Sequence, residues 1–333
     1  MTILLADSFL DGAHDAKWDA VTAVTTANTT SSRHASDTLT PTRWASNSGG
    51  SDEYLSKTID PPLNTVAAGV ASWRQYSFYS TLHTIRVRRG GVDLVRLGRV
   101  TGGTADLQLT DGAGTTLGTY TNPDGGDGQT WVSHSLVVVI DGAQSRAIAY
   151  LGDTPAMDVT LDLGTGGIDE VQISTSAQTT SADVAFQDAW ITDGEVLGDA
   201  RVEVLVPSGV GAAAEWTPDE GVNWARVADA SVGYVETDTV GYRDSHVHAG
   251  LDDDGRDRVL QVAATVLAYT TDLTAREVAP SVRIGGVDYD GLAQALTAAP
   301  SPIVEVWDVS PATSAAWTAV EVDGAEFGYG AAS

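Results

Sequence analysis

The chain consists largely of short runs rich in β-branched residues, and clusters of Gly, Asp, Asn and Pro interrupt these runs along its whole length. Such runs favour β-strands, because branched side chains fit a pleated surface, and the interrupting residues favour turns. No stretch carries the 3.6-residue apolar period that indicates a helix. The pattern therefore predicts an all-β fold of the sandwich or barrel type.

Glycine pairs between the runs predict where strands are joined. Gly90-Gly91 and Gly285-Gly286 each separate two β-branched runs. Two successive glycines adopt the positive φ angles of a tight turn without steric cost, so both pairs predict hairpins. The run Leu136–Ile140 is continuously apolar instead of alternating. It predicts a strand that is covered on both faces or lies at a subunit contact.

The length of the chain indicates more than one domain. Its 333 residues, 42% of them hydrophobic, exceed what a single domain of typical size contains. We therefore expect two β-sandwich domains, one over residues 1–197 and one over residues 198–333. No internal repeat of fixed period occurs, which argues against a propeller or a solenoid.

The charge and the cysteine content exclude several classes of protein. The formal net charge is −27, so the surface repels phosphate backbones and anionic lipid headgroups, and we expect neither nucleic-acid binding nor membrane insertion. The chain has no cysteine, which excludes disulfides, thiolate nucleophiles and Cys-ligated metals. Packing and self-association must therefore supply the stability.

The start of the chain does not resemble an export signal. Met1–Asp7 is short and lacks a basic flank, and the sequence contains no run of 18 apolar residues. An extracellular role would then depend on release by lysis of the cell that made the protein, as happens for virion proteins.

The first part of the chain resembles a known fold. Its opening run Leu4–Phe9, a strand pair around Asp141-Gly142 and the closing run Phe186–Ile191 are similar to the laminin-G or concanavalin-like jelly roll. The likeness covers about residues 1–197. The resemblance implies that the first and last strands pair. Some proteins with this fold bind calcium at loops or hydrolyse glycans, so both activities are considered below.

The second part resembles a module that recurs in structural proteins of tailed phages, and the likeness spans most of residues 198–333. The resemblance implies a non-enzymatic virion component. His246-Val247-His248 and the acidic run 252–257 depart from the pattern. The tokens that carry the likeness occur in this order: Gly198-Asp199-Ala200-Arg201-Val202-Glu203, Trp216-Thr217-Pro218, Val240-Gly241-Tyr242-Arg243-Asp244, Val304-Glu305-Val306-Trp307 and Ala315-Ala316-Trp317-Thr318.

Metal binding is the first alternative to a purely structural role. His246 and His248 lie two residues apart, so on a strand they share a face and, with Asp244 or Asp252, would form a metal site. The alternative is that the two histidines have no ligand role and lie at an exposed strand or loop end. Asp252, Asp254 and Asp257 around Gly255 suggest calcium, but Arg256 replaces a ligand of the EF-hand order. The loop Asn122–Gly128 has a similar composition. We expect no resident metal or other cofactor.

Catalysis is the second alternative. Glycoside hydrolysis needs two carboxyl groups at one cleft, whereas Glu170 and Glu203 are isolated in the sequence. The Glu-x-Asp-x-x-Glu type of strand, the Gly-x-Ser-x-Gly motif and phosphate-binding loops are all missing. We therefore expect no enzymatic activity and assign no catalytic, cofactor or metal residues.

Two further clusters suit binding surfaces. The aromatic run Trp73–Tyr79 either stacks on a glycan or belongs to the core or a subunit contact. The cationic run Arg86–Arg89, with Arg96 and Arg99, suits an acidic neighbouring subunit better than DNA.

The sequence predicts a structural protein of a phage virion, made in the host cytoplasm and carried in the particle. We expect a minor tail protein that serves in assembly and in attachment to the host surface, that contacts other virion proteins and that forms a homo-oligomer, with a trimer as the working guess. The alternatives are a capsid decoration or head-fibre protein, and a carbohydrate-binding module that contacts host cell-wall glycan.

Overall fold

A computed structural model describes residues 2–7, 18–22, 43–45, 53–74, 82–100, 106–122, 131–175, 183–228, 233–251, 258–271 and 275–332. The chain forms two compact units, Met1–Val202 (unit 1) and Glu203–Ser333 (unit 2). The described residues are mostly in antiparallel strands, which confirms the all-β prediction.

Unit 1 contains fourteen described strands and a 3₁₀ turn at Gly142–Gln144. The strands are β1 Ile3–Asp7, β2 Ala20–Thr22, β3 Arg43–Ala45, β4 Glu53–Leu63, β5 Thr65–Arg74, β6 Leu82–Arg89, β7 Val92–Arg99, β8 Leu107–Asp111, β9 Thr116–Tyr120, β10 Val132–Val139, β11 Ser145–Leu151, β12 Thr154–Leu161, β13 Ile168–Thr175 and β14 Asp183–Thr192.

These strands form two seven-stranded antiparallel sheets. Sheet A has the order β1-β14-β5-β10-β11-β12, with β3 also paired to β14, and sheet B has the order β2-β4-β13-β6-β7-β8-β9. The first strand pairs with the last, with Leu5 opposite Ile191. This topology confirms the jelly-roll expectation for unit 1.

The core of unit 1 lies between the two sheets. Leu136 and Val138 of sheet A and Leu97 of sheet B are fully buried there. Each such side chain stabilises the fold by about 1.5–3 kcal/mol relative to its exposed state. Val137, on the opposite face of β10, is also buried and packs in a cluster with Trp190. The prediction that Leu136–Ile140 is covered on both faces is therefore confirmed.

Unit 2 contains ten described strands and two helices of a single turn. These elements are β15 Pro207–Ala214, β16 Thr217–Pro218, α1 Asn223–Val227, β17 Val235–Glu236, β18 Arg243–His248, β19 Val262–Ala268, β20 Glu277–Ile284, β21 Val287–Asp290, β22 Gln294–Ala295, β23 Ser301–Trp307, α2 Ala319–Asp323 and β24 Glu326–Ala331.

The main sheet of unit 2, sheet C, has the order β15-β18-β24-β20-β21, with β22 paired to β20. A two-stranded ribbon of β19 and β23 lies against it, because alternate ribbon residues such as Val262 and Ile303 belong to core clusters that also hold sheet C side chains. A second short ribbon joins β16 and β17. Unit 2 is thus also built in β layers.

Both predicted glycine hairpins are present. Gly90 and Gly91 have φ angles of 56° and 76° between β6 and β7, and Gly285 and Gly286 have φ angles of 59° and 87° between β20 and β21. The two glycine pairs therefore marked the positions of these hairpins correctly.

The resemblance to the phage module implies a strand over Gly198–Glu203, and this expectation is wrong. Residues 198–206 have no ladder partner in the structure. Leu197 and Ala200 pack against sheet A, and the Val202 amide donates a hydrogen bond to Asp188 Oδ1 over 2.8 Å. Side-chain burial and a carboxylate therefore take the place of strand pairing in this segment.

Both short helices escaped the sequence analysis. Each has only five residues, which is too short for a helical period to show. Helix α2 had a readable signal, since Thr318 is followed three residues later by Glu321 and its Oγ1 accepts from the Glu321 amide at 3.2 Å. Neither helix, nor any other in the described ranges, has the length and apolarity needed to cross a membrane.

Candidate functional site

Three arginines surround one carboxylate on the outward face of sheet B. The β6–β7 hairpin places Asp93 opposite Arg88. Asp93 Oδ1 accepts from Arg88 Nε at 2.8 Å, Oδ2 accepts from Arg96 Nε at 2.6 Å, and Arg86 Nη1 lies 3.9 Å from Oδ2. Because the Asp93 carboxylate is largely buried and adjacent to the guanidinium groups, it neutralises part of their positive charge within unit 1.

The remaining arginines of the cationic run are also engaged inside unit 1. Arg88 Nη1 donates to Glu170 Oε2 at 2.6 Å, and Arg89 donates to the carbonyl of Leu163 at 2.9 Å. Arg99 is 1% exposed and donates to the carbonyl of Ser72 at 3.3 Å. These guanidinium groups therefore tie strands of unit 1 together, and the expected contact of the run with an acidic neighbouring subunit stays a prediction.

A histidine is buried inside the sandwich of unit 1. His134 Nε2 lies 2.6 Å from Thr84 Oγ1, and Nδ1 lies 3.2 Å from the carbonyl of Val132. The carbonyl can only accept, so Nδ1 carries the proton and Nε2 accepts from the hydroxyl. Burial, with Arg99 nearby, lowers the pKa of His134 to about 3. The ring is therefore a neutral bridge between the sheets.

A shallow groove of about 410 Å³ lies where β7, the β8–β9 turn and the end of β12 approach each other. Its leucines include Leu94 and Leu161. Its carboxylates already serve turns and ion pairs: Asp111 Oδ1 accepts from the Thr115 amide at 2.7 Å, and Asp162 Oδ1 accepts from the Gly164 amide at 2.8 Å. The Thr115 bond lowers the pKa of Asp111. Asp111 is thus a stabilising anion of its turn.

The isolated glutamates of the sequence analysis show no catalytic pairing in the described residues. Glu170 is bound by Arg88 and also accepts from Gln172 Nε2 at 2.8 Å. Glu203 belongs to unit 2.

In unit 2, two of the tokens that resemble the phage module meet at Asp244, which is 0% exposed. Its Oδ1 accepts from the amides of Glu215 and Trp216 at 2.7 and 3.0 Å. Its Oδ2 accepts from Asn223 Nδ2 at 2.6 Å and lies 3.4 Å from the Tyr329 hydroxyl. Burial raises the pKa of Asp244, while these donors favour its charged form. We call this arrangement the Asp244 knot.

The tryptophans of the module pack around this framework. Trp216 donates from Nε1 to the carbonyl of Tyr242 at 3.1 Å and meets the Tyr329 ring edge-on, with ring centroids 5.0 Å apart. Trp317 donates from Nε1 to the carbonyl of Trp307 at 2.9 Å. The Trp216 indole therefore ties two segments 26 residues apart, and the Trp317 indole closes the chain back on Trp307, ten residues earlier.

His246 and His248 lie on one face of β18, as predicted, with Asp244 on the same face. Their rings contact Tyr329 and Phe327, with centroids 5.8 and 5.5 Å apart. Burial lowers the pKa of both histidines to about 4. Over the described ranges no three metal-binding side chains come together, and Asp244 is already engaged by the knot. His246 is thus buried, whereas His248 is half-buried beside the Phe327 ring.

Several predicted features lie outside the described residues. They are the acidic run 252–257 with Asp252, Asp254 and Asp257, residues 123–128 of the loop that starts at Asn122, and residues 75–79 of the aromatic run. Their roles stay as predictions.

The outward side of the β19–β23 ribbon carries an apolar surface that sequence reasoning missed. Ala263, Thr265 and Leu267 lie opposite Val306, Val304 and Pro302, so these six side chains share one face. Leu267 is 55% exposed and Val306 is 45% exposed. We call these six residues the ribbon face. The sequence carried a signal for this face. In β19 both alternating sets of residues are largely apolar, whereas a strand with one solvated face normally has one polar set.

No protein-family model matches the sequence, and no curated protein does. Among solved structures, the chain is similar to a cellulose-induced protein, Cip1, at 16% identity and a TM-score of 0.42, over 60% of this chain and 99% of that one. It is also similar to a binding domain of botulinum neurotoxin DC, at 9% identity and a TM-score of 0.42, over 86% and 73% of the two chains. An alginate lyase from Corynebacterium sp. is similar at 12% identity and a TM-score of 0.36, over 48% and 79%. Likenesses this distant carry no functional argument.

Proposed function

We propose that the protein is a non-enzymatic structural component of a tailed-phage virion, a minor tail protein that takes part in assembly and in attachment to the host surface. Its partners are other virion proteins and further copies of itself. The observation that carries the proposal is the Asp244 knot. Residues from two tokens of the phage-like module, Trp216 and Asp244, meet there with Asn223, and their hydrogen bonds support a scaffolding role.

The distribution of charge in unit 1 supports a non-catalytic role. Among the described residues of sheet B, Asp93 and Glu170 are held by arginines at 2.6–2.8 Å. A general acid for glycan cleavage lies free beside an apolar wall, whereas these two carboxylates are engaged by guanidinium groups. Their arrangement therefore supports a structural role for these acids over hydrolysis.

The test is to look for the chain in purified particles. Quantitative mass spectrometry of gradient-purified virions should find it at a fixed ratio to the major tail protein, and gold-labelled antibody should decorate the tail. Label on the head instead would favour the decoration alternative. Particles that are infectious and contain none of the chain would overturn the proposal.

A second candidate function, carbohydrate binding, has an observation of its own. Tyr234 and Tyr242 of unit 2 are 48% and 42% exposed, and flat aromatic rings stack on the apolar faces of sugars. The purified chain should then bind host cell-wall glycan without other virion proteins, and Tyr242→Ala should weaken the binding. Equal retention on glycan and on blank resin would rule this function out.

A further inference from the structure

The outer face of sheet A carries a second apolar layer, outside the sandwich core. The Trp190 indole lies directly over Gly69, since a Cβ added to Gly69 would lie 2.3 Å from the ring. Trp190 packs there with Ala67 and Val137 in a buried cluster. Residues 196–202, which we call the strap, pack against this cluster through Val196, Leu197 and Ala200. The strap therefore covers apolar surface that sheet A places outside the sandwich.

Two carboxylates hold the strap on unit 1. The Asp199 amide donates to Asp153 Oδ1 over 3.1 Å, and the Val202 amide donates to Asp188 Oδ1 over 2.8 Å. Gly198 has a φ angle of 63°, and a Cβ added to it would lie 1.7 Å from Asp153 Oδ1. Only glycine therefore lets the strap approach this carboxylate so closely. Asp188 is 2% exposed and has a φ angle of 52°, and it lies at a register shift of β14, where a bulge redirects side chains.

The strap differs from the strands beneath it in how its backbone is held. Residues 193–206 belong to no strand, whereas β5 and β14 are joined by a ladder that reaches Thr192. Segments without a ladder open at a lower free energy than the strands of a core. The contacts of the strap are specific, but they are fewer than those of the sheet that it covers.

We infer that the strap is a releasable joint, which opens from sheet A while the two units remain folded. Opening frees seven residues, which extend to about 24 Å, and so lengthens the connection that enters unit 2 at Glu203. It also uncovers the cluster around Trp190. The inference goes beyond the proposed function, and it holds or fails in the purified chain whether or not virions contain the protein.

The absence of cysteine allows the opening to be measured by thiol labelling of the full-length chain. Ala67→Cys places a single thiol in the cluster beneath the strap. Ala68→Cys is the matched control, because Ala68 is equally buried but faces the sandwich core. Among variants with wild-type circular dichroism, Ala67→Cys should react with a small maleimide about 100-fold faster than Ala68→Cys. Equal rates would show that the cluster opens only with the sandwich, and would overturn the inference.

Hydrogen exchange, measured by mass spectrometry, is the second test and needs no cysteine. Gly198→Ala would push a methyl group into Asp153 Oδ1, so exchange of the strap amides should become about tenfold faster. Gly152→Ala is the matched control, because Gly152 has a similar φ angle of 55° but an added Cβ there meets nothing within 4 Å. Exchange in β10 should be the same in both variants. Unchanged strap exchange in Gly198→Ala, equal acceleration in both variants, or loss of β10 protection together with the strap would contradict the inference.

Discussion

The two units differ in where their apolar side chains lie. In the described part of unit 1, one continuous core holds twenty-four buried residues, and Val92 is the single large apolar side chain that is exposed. In the described part of unit 2, two small clusters hold five and three buried residues, and thirteen large apolar side chains are exposed. Unit 1 therefore buries nearly all of its large apolar side chains, whereas unit 2 depends more on buried hydrogen bonds such as those of Asp244 and leaves more apolar side chains exposed.

This difference between the units can be tested first at the buried hydrogen bonds of the Asp244 knot. Asp244→Ala should lower the free energy of unfolding of unit 2 by about 3–5 kcal/mol, because several buried donors lose their acceptor. Hydrogen exchange of β18 and β24, measured by mass spectrometry, would report the loss. Asp288→Ala is the control, since Asp288 pairs with Arg283 at the exposed surface, and it should change little. Similar protection of β18 in both variants would mean that the knot is not what holds unit 2.

The core of unit 1 provides the converse test. Leu136→Ala should lower the free energy of unfolding of unit 1 by about 3 kcal/mol, since the tightly packed site cannot collapse around the cavity. Exchange in unit 2 should stay as in the wild type. If both units lose protection together, they unfold as one cooperative body and the comparison between them fails.

Acid should distinguish the units through their histidines. In unit 2 the pKa of His246 is about 4 in the folded state and 6.5 in a solvated one. Between these values the unfolded chain binds a proton that the folded chain rejects, so the stabilisation is complete above pH 6.5 and is lost as the pH falls towards 4. His246→Leu should therefore flatten the decline of denaturation midpoint between pH 7.5 and 5.

His134 in unit 1 acts in the same direction, but its folded pKa of about 3 extends the window to lower pH. Comparing His246→Leu with His134→Leu, unit by unit, separates the two contributions. An unchanged pH profile in His246→Leu would show that this ring is already solvated.

The smallest effect is expected from metal removal. The described residues hold no group of three metal-binding side chains, and the Asp-rich runs lie outside them. We predict that a chelator changes the melting temperature of either unit by less than the error of calorimetry. A drop of several degrees, restored by calcium, would assign the ion to one of those runs.

How far the sequence could predict this molecule also differs between the units. In unit 1 the alternating runs, the Gly90-Gly91 turn and the apolar run Leu136–Ile140 each have a local physical cause, and the structure follows them. The ion-pair partners of Arg86–Arg89 have no such local cause. Glu170 is distant in sequence, and only the pairing of β13 with β6 brings it to Arg88.

In unit 2 the sequence showed the tokens of the module but not which contacts their residues make in the folded chain. Nothing local marks Asp244 as the acceptor for Trp216 and Asn223, because that geometry depends on a turn folding back on β18. His246 and His248 were placed correctly on one face, but the expected exposed strand end was wrong for His246, which is 3% exposed. Whether these side chains are buried therefore depends on contacts between distant segments, which residue spacing does not predict.

The central claim is that this protein joins neighbours and does not transform a substrate. Cryo-electron microscopy of the parent particle at side-chain resolution tests it most directly. The account predicts density for the chain at a fixed site in the tail, in contact with other virion proteins. Density that assigns every tail position to other chains would contradict it.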